Sequence, residues 1–380
     1  MNEFALVADT VFDGTALYRH AAVVIAGDAI REVTAASVLP RDIPTISLPE
    51  RAWLAPGFID LQVNGGGDVL FNDTPTPAGI AGIAATHRRF GTTGLLPTLI
   101  TDTRETMHAA RKAVATVMTS EPGVLGIHFE GPFLSPERTG VHDPALIRAP
   151  NTDDFSFLTS AFAGATLVTA APEIMPHGWI AALTRAGIHL ALGHSAATYE
   201  QTRAALAQGL KGFTHLFNAM PPLGAREPGP IAAALDSPDA WYGLIVDGTH
   251  VAPAMLRLAL RGLGRPILVT DAMPPVGGRS GEFLLQGRPI QVRDGKLVDE
   301  QGRLAGSLLD MASAVRNCVN MLEIPLLEAL RMASTAPAEA IGLGNRLGKI
   351  LPGYRADVIA IDPAVVRVLG SWVAGNGGLH

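Results

Sequence analysis

Apolar and polar positions alternate in two different ways along this chain, and the switch between them marks its organisation. Over residues 1–52 the period is two, in short runs at 4–8, 22–26 and 29–33 with turns at Gly14 and Gly27-Asp28. That pattern predicts β-strands, and no helical period competes with it. From 53 to 343 the pattern becomes short apolar strand, loop, amphipathic helix, repeated. Eight strands are predicted, at 58–63, 94–99, 126–130, 165–170, 189–193, 212–214, 242–247 and 266–271, with helices such as 103–118 and 197–208 between them. Strands that alternate with helices build a parallel sheet covered on its faces, so the class is α/β. Eight such units predict a (β/α)8 barrel. A doubly wound sheet is the alternative, but no glycine-rich dinucleotide fingerprint follows the first strand. After the eighth strand, alternation at 283–298 around the turn Arg293-Asp294-Gly295-Lys296 predicts a hairpin inserted near 280–300. Helices are expected at 308–322 and 325–341, where Pro325 suits a first helical position, and strands return at 356–361 and 365–369. The expected division is therefore a catalytic barrel of residues 53–343 and a small β-sandwich domain built from 1–52 and 344–380.

Composition changes this picture little. The chain has 380 residues, 48% hydrophobic and 17% charged, enough for one large core and one small one. A net charge of −6, with no run of Lys or Arg, argues against a nucleic-acid partner. It leaves room for a small anion held by one or two placed cations. The single cysteine, Cys318, lies in a helix-like stretch and excludes a disulfide within the chain, which fits a reducing, cytoplasmic setting. Met1-Asn2-Glu3-Phe4 does not begin a basic-then-apolar leader, and no stretch of about 18 apolar residues runs unbroken, so neither export nor a membrane span is expected.

Chemistry concentrates where the predicted strands end, which is where barrels of this kind place their sites. Gly126-Ile127-His128-Phe129-Glu130-Gly131-Pro132 reads as a strand with Gly126, His128 and Glu130 on one face and Ile127 and Phe129 on the other. Glu130 then stands inward at the strand's last residue. The fifth strand runs into Gly193-His194-Ser195 and the sixth into Thr214-His215, 21 positions further on, one helix plus its loops. Each residue alone has an ordinary structural explanation. Together, two imidazoles and a carboxylate on one rim make a three-ligand metal site with a position open for water. Asp271, ending the eighth strand, supplies the base that takes that water's proton. The same ligand set also suits a mononuclear iron oxygenase, although a base at Asp271 counts against that reading. A scaffold that had lost catalysis would be expected to lack ligands or base.

The chain resembles the amidohydrolase superfamily, and within it the N-acetylglucosamine-6-phosphate deacetylase family. The likeness rests on the strings Pro56-Gly57-Phe58-Ile59-Asp60-Leu61-Gln62-Val63-Asn64-Gly65, Gly193-His194-Ser195, Arg226-Glu227-Pro228-Gly229, Asp247-Gly248-Thr249-His250, Thr270-Asp271-Ala272 and Gly306-Ser307-Leu308, and it runs nearly end to end. It implies a TIM-like metal-dependent hydrolase barrel. The implied reaction converts N-acetylglucosamine 6-phosphate to glucosamine 6-phosphate and acetate, in amino-sugar catabolism and cell-wall sugar recycling. The galacto epimer, or another amide substrate of the superfamily, is the alternative. Carried over by motif, Glu130, His194 and His215 bind one divalent ion per chain. Zinc is the first choice, with iron, cobalt and manganese also suited. Asp271 is the general base and then the acid. His142 faces the acetamide carbonyl, Asn218, Ala219 and Leu308 contact the sugar, and Arg226 and His250 bind the phosphate. The resemblance also implies a homodimer that shares phosphate-site residues across its interface. One departure stands out: where many amidohydrolases carry His-x-His for a second metal, this chain has Gln62-Val63-Asn64. Gly65-Gly66-Gly67 beside it reads as a turn.

Overall fold

Eight short parallel strands carry the fold: β1 (Phe58–Val63), β2 (Thr92–Ile100), β3 (Gly126–Glu130), β4 (Ala165–Ala170), β5 (His189–Leu192), β6 (Gly212–Phe213), β7 (Trp241–Leu244) and β8 (Arg265–Leu268). Each pairs with its neighbour in chain order. The structure is a computed structural model and describes residues 3–380; Met1 and Asn2, where the small domain and the leaderless terminus were expected to begin, lie outside the described residues. Between β8 and β1 no regular ladder forms. The gap is bridged at the rim, where Val63 pairs with Ala272 and the Asp271 N–H donates to Gln62 O at 3.0 Å. The result is a nearly closed (β/α)8 barrel. Helices cover its outside, among them Arg104–Val117, Thr152–Thr159 and Tyr199–Ala207. Thr103, Asn151 and Thr198 cap these helices by accepting first-turn N–H groups, and the last two form complete capping boxes.

Several elements end earlier than alternation suggests. β7 stops at Leu244 and the chain then turns, because Asp247 Oδ1 accepts the N–H groups of Thr249 and His250 at 2.8 and 2.9 Å. The helix expected at 325–341 is two helices, Leu326–Ala333 and Thr335–Ala340, broken at Ser334. Pro337 explains the break: it has no N–H to give, and its ring would meet the carbonyl of Ala333 in a continuous helix. The insertion after β8 has three antiparallel strands, Glu282–Leu285, Arg288–Arg293 and Lys296–Val298. Asp294 and Gly295 take φ of 50° and 73°, which is what a two-residue hairpin turn requires.

The two ends of the chain share one mixed sheet. Its order is Asn376–Leu379, Arg367–Val373, Val358–Asp362, Trp53–Pro56, Glu3–Phe12, Leu17–Ala26, Ala29–Ala35, with Thr45–Ser47 added beside Glu3–Phe12. The antiparallel pairing of Trp53–Pro56 with Val358–Asp362 is the join between the two ends. Leu6, Val23, Ile25, Leu54, Ile350 and Trp372 form its core. Gly57 separates this sheet from β1, and a Cβ there would lie 2.0 Å from Thr93 Oγ1. Among the described residues no helix is long and apolar enough to cross a membrane.

Candidate active site

β3 delivers its inward side chains as alternation requires. His128 bonds inside the barrel, to Leu61 O at 3.0 Å and Thr169 Oγ1 at 2.7 Å, while Phe129 packs outward, edge-on to Phe157. Glu130, one step from His128 on the same face, is 2% exposed at the barrel mouth. His194 and His215 each follow their strand by two residues, and Asp271 follows β8 by three. All three hold left-handed backbone, with φ of 48°, 29° and 53°. A residue with a Cβ seldom adopts that region, and such strain gathers where a site fixes side-chain direction.

Glu130, His194 and His215 meet at the mouth. Glu130 Oε1 lies 3.1 Å from His194 Nε2 and 2.9 Å from His215 Nε2, and the two nitrogens are 3.1 Å apart. His194 Nδ1 faces Arg138 O at 2.9 Å, and a carbonyl can only accept, so Nδ1 carries the proton and Nε2 offers a lone pair. His215 Nδ1 has no partner among the described residues. Two imidazole nitrogens and a carboxylate oxygen this close repel unless a cation stands between them. A tetrahedral ion with bonds of about 2.0–2.2 Å would set these atoms about 3.3–3.6 Å apart, so the three donors need to part by only a few tenths of an ångström to hold one. The residues present therefore fit a divalent metal, and nitrogen and oxygen donors suit zinc, iron, cobalt or manganese alike.

Gln62 and Asn64 turn amide N–H groups, not lone pairs, toward this centre. Gln62 Nε2 donates to Glu130 Oε2 and Asp271 Oδ1, both at 3.2 Å, and Asn64 Nδ2 donates to Asp271 Oδ1 at 2.6 Å. Facing carboxylates fix the amide orientation, since an amide oxygen there would be repelled. These bonds to Asp271 all fall on Oδ1. Burial, then the nearby charge of Glu130, pushes the Asp271 carboxyl up to about 6, against the opposing influence of His215, His250 and Asn64.

His142 completes the mouth, 2% exposed, with Nε2 4.0 Å from Glu130 Oε1. Its Nδ1 accepts the Thr101 N–H at 3.3 Å and lies 2.7 Å from the Thr101 hydroxyl. Nε2 is thus the protonated nitrogen. Burial pushes this imidazole down to about 3, so it is a neutral donor. A cavity of ≈ 210 Å³ opens above these groups. Its wall includes Asn218, Ala219 and His250, together with the apolar Val141, Met273 and Leu304. His250 Nδ1 is tied to Asp247 Oδ2 at 2.7 Å. Two expected contacts stand elsewhere. Arg226 is exposed on the 221–228 loop, outside this wall and unpaired among the described residues. Leu308 packs into the apolar cluster beneath the insertion, and its motif reaches the cavity through Gly306 instead. Thr101 and Arg138, which set the two histidine tautomers, carry no sequence signal: one acts through its N–H and hydroxyl, the other through a carbonyl that every residue has.

The model of the amidohydrolase family matches residues 53–376. An N-acetylgalactosamine-6-phosphate deacetylase of Shewanella sp. (strain ANA-3) is 40% identical, over 98% of this chain and 96% of its own. The chain belongs to the amidohydrolase family, among its amino-sugar-phosphate deacetylases. Two solved members of that group superpose closely on this amidohydrolase. The N-acetylglucosamine-6-phosphate deacetylase of Pasteurella multocida gives a TM-score of 0.96 at 36% identity, over 100% of both chains. A variant of the Mycobacterium smegmatis N-acetyl-D-glucosamine-6-phosphate deacetylase, in complex with N-acetyl-D-glucosamine-6-phosphate, gives 0.91 at 34% identity, again over 100% of both.

Proposed function

We propose that this amidohydrolase hydrolyses the acetamido group of N-acetylglucosamine 6-phosphate to glucosamine 6-phosphate and acetate. The observation that carries the reading is the pairing, across one cavity, of a carboxylate fixed on one oxygen with a neutral imidazole donor. A single divalent ion, zinc first, held by Glu130, His194 and His215 would polarise the carbonyl and activate a water. Asp271 takes the proton of the attacking water through Oδ2, because Gln62 and Asn64 hold Oδ1. His142 Nε2–H donates to the carbonyl oxygen as negative charge gathers on it. When the C–N bond breaks, Asp271 returns the proton to the nitrogen, and acetate and the free amine leave. His250, tied at Nδ1 to Asp247 and standing in the cavity wall, meets the phosphate as an imidazolium, the form that has an Nε2–H to donate once Nδ1–H is spent on Asp247. Asn218 donates to His215 O at 3.1 Å and keeps its amide oxygen for a sugar hydroxyl. Arg226, outside the wall of its own cavity, serves the phosphate of a neighbouring copy in a homodimer. Its guanidinium suits that role because it is permanently charged and bidentate.

The 40% identity to an N-acetylgalactosamine-6-phosphate deacetylase favours the galacto epimer as a second reading. The two readings separate when acetate release from both 6-phosphates is measured on one preparation. The gluco substrate should have the higher kcat/KM; a higher value for the galacto substrate would reverse the assignment.

A further inference from the structure

The titratable group that this chemistry leaves unused is Asp60. It lies mid-strand in β1 at 0% exposure, and no Lys, Arg or His pairs with it among the described residues. A buried, unpaired carboxylate is a costly choice for stability alone. What it does is bind across the seam where the barrel has no regular ladder. Oδ1 accepts the N–H of Gln62 at 3.1 Å and that of Thr270 at 3.3 Å, and Oδ2 accepts the Thr270 hydroxyl at 2.5 Å. Thr270 Oγ1 in turn accepts the Ala272 N–H at 3.2 Å. Both ends of this clamp adjoin the reacting groups: Gln62 donates to the Asp271 carboxylate, and Thr270 immediately precedes Asp271. Asp271 itself has φ of 53°; besides the bonds of Gln62 and Asn64 to its carboxylate, its backbone is held by its N–H to Gln62 O and its C=O from Ser307 N–H at 2.9 Å. A left-handed aspartate persists only where its surroundings over-determine it.

We infer that Asp60 is a positioning residue, one that joins Gln62 to Thr270 across the barrel seam and thereby fixes the direction of the Asp271 carboxylate. The inference rests on the deacetylase reading above. Asp60 does not line the cavity, so it acts through Thr270 and Gln62 and touches no substrate. Its bond to Thr270 needs no particular charge, since an ionised carboxylate accepts from the hydroxyl and a protonated one donates to it. An asparagine can do the same: its oxygen takes the two N–H groups and its amide donates to Thr270 Oγ1. An alanine cannot.

The test compares wild type, Asp60→Ala, Asp60→Asn and Thr270→Val, each purified with its metal and assayed for acetate release, metal content and melting temperature. Asp60→Ala and Thr270→Val should each lower kcat by about 10²-fold, the loss expected from a misplacement of about 1 Å, with KM and metal content near wild type. Asp60→Asn should recover most of the rate. The double variant Asp60→Ala/Thr270→Val should be no worse than the poorer single one, because both break the same clamp. A folded, metal-loaded Asp60→Ala with wild-type kcat would overturn the inference. So would an Asp60→Asn as slow as Asp60→Ala, or a loss that tracks metal content. Should Asp60→Ala not fold, Thr270→Val and Asp60→Asn carry the comparison. A wild-type protein that releases no acetate would overturn the deacetylase reading instead, so the two failures are distinct.

Discussion

His194, His215 and Asp271 share left-handed backbone, and residues held there cost on the order of 1–3 kcal/mol each. With Ala219, at φ 50° in the same wall, four such residues around one cavity are explained by chemistry better than by folding. Asp271→Asn keeps the shape and removes the proton acceptor, so metal content and KM should survive while kcat falls by about 10²–10⁴. His215→Asn should lose metal together with activity. Should Asp271→Asn lose its metal and regain activity when metal is added, Asp271 is a ligand and the proton-transfer step is misassigned. The pH profile gives a second check. Asp271 must be ionised to accept a proton and burial raises its pKa to about 6, so activity is present above that value and lost as pH falls through it. A bound cation would pull the carboxyl lower, so the acid limb of kcat/KM should lie at or below about 6. A limb above 7 would contradict this assignment. Glu130, His194, His215 and Asp271 were legible because each ends or closely follows a strand and strand ends meet at one rim, while His142, on the loop after β3, was pointed to by the resemblance alone. Arg226 could not be placed that way. It lies on a loop whose course no periodicity describes.

At the scale of elements, strand centres were legible and their ends were not. Alternation located β3 because one face, His128 and Glu130, meets a polar interior while the other, Phe129, meets a helix. β7 and β8 continue apolar past Leu244 and Leu268, and only side-chain-to-backbone bonds such as those of Asp247 stop them. Short strands such as Thr45–Ser47 and Asn376–Leu379 are too brief to show a period. Tight pairing under the site gives a further prediction. A Cβ on Gly126 would lie 2.0 Å from Ala165 O and 2.5 Å from Ala165 N, so Gly126→Ala must part β3 from β4 at the opposite end of the strand from Glu130. Overpacking of this kind costs about 1–3 kcal/mol, which should appear as a clear drop in melting temperature. An unchanged melting temperature would mean that the β3–β4 pairing is looser than described.

At the scale of the whole molecule, the chain's two ends meet in one sheet and hold the barrel between them, through the pairing of Trp53–Pro56 with Val358–Asp362. Strand character at both ends was visible in the sequence, while their pairing depends on contacts some 300 residues apart that no local pattern encodes. Arg226 belongs to this scale as well. If it serves a neighbouring copy, Arg226→Ala should raise KM for the 6-phosphate sugar by about ten- to a hundredfold, the worth of roughly 1.5–3 kcal/mol in a charge-assisted bond, and leave the unphosphorylated sugar nearly unaffected. Equal effects on both sugars would remove Arg226 from the phosphate site. The central claim is metal-dependent amide hydrolysis at a single Glu130–His194–His215 centre, with amides at Gln62 and Asn64 where a second ion would need lone pairs. Titrating metal-free protein with a divalent ion, while following acetate release from N-acetylglucosamine 6-phosphate, tests it most directly. The rate should climb in proportion to added metal and level off at one ion per chain; a break at two ions per chain, or acetate release from metal-free protein, would contradict the account.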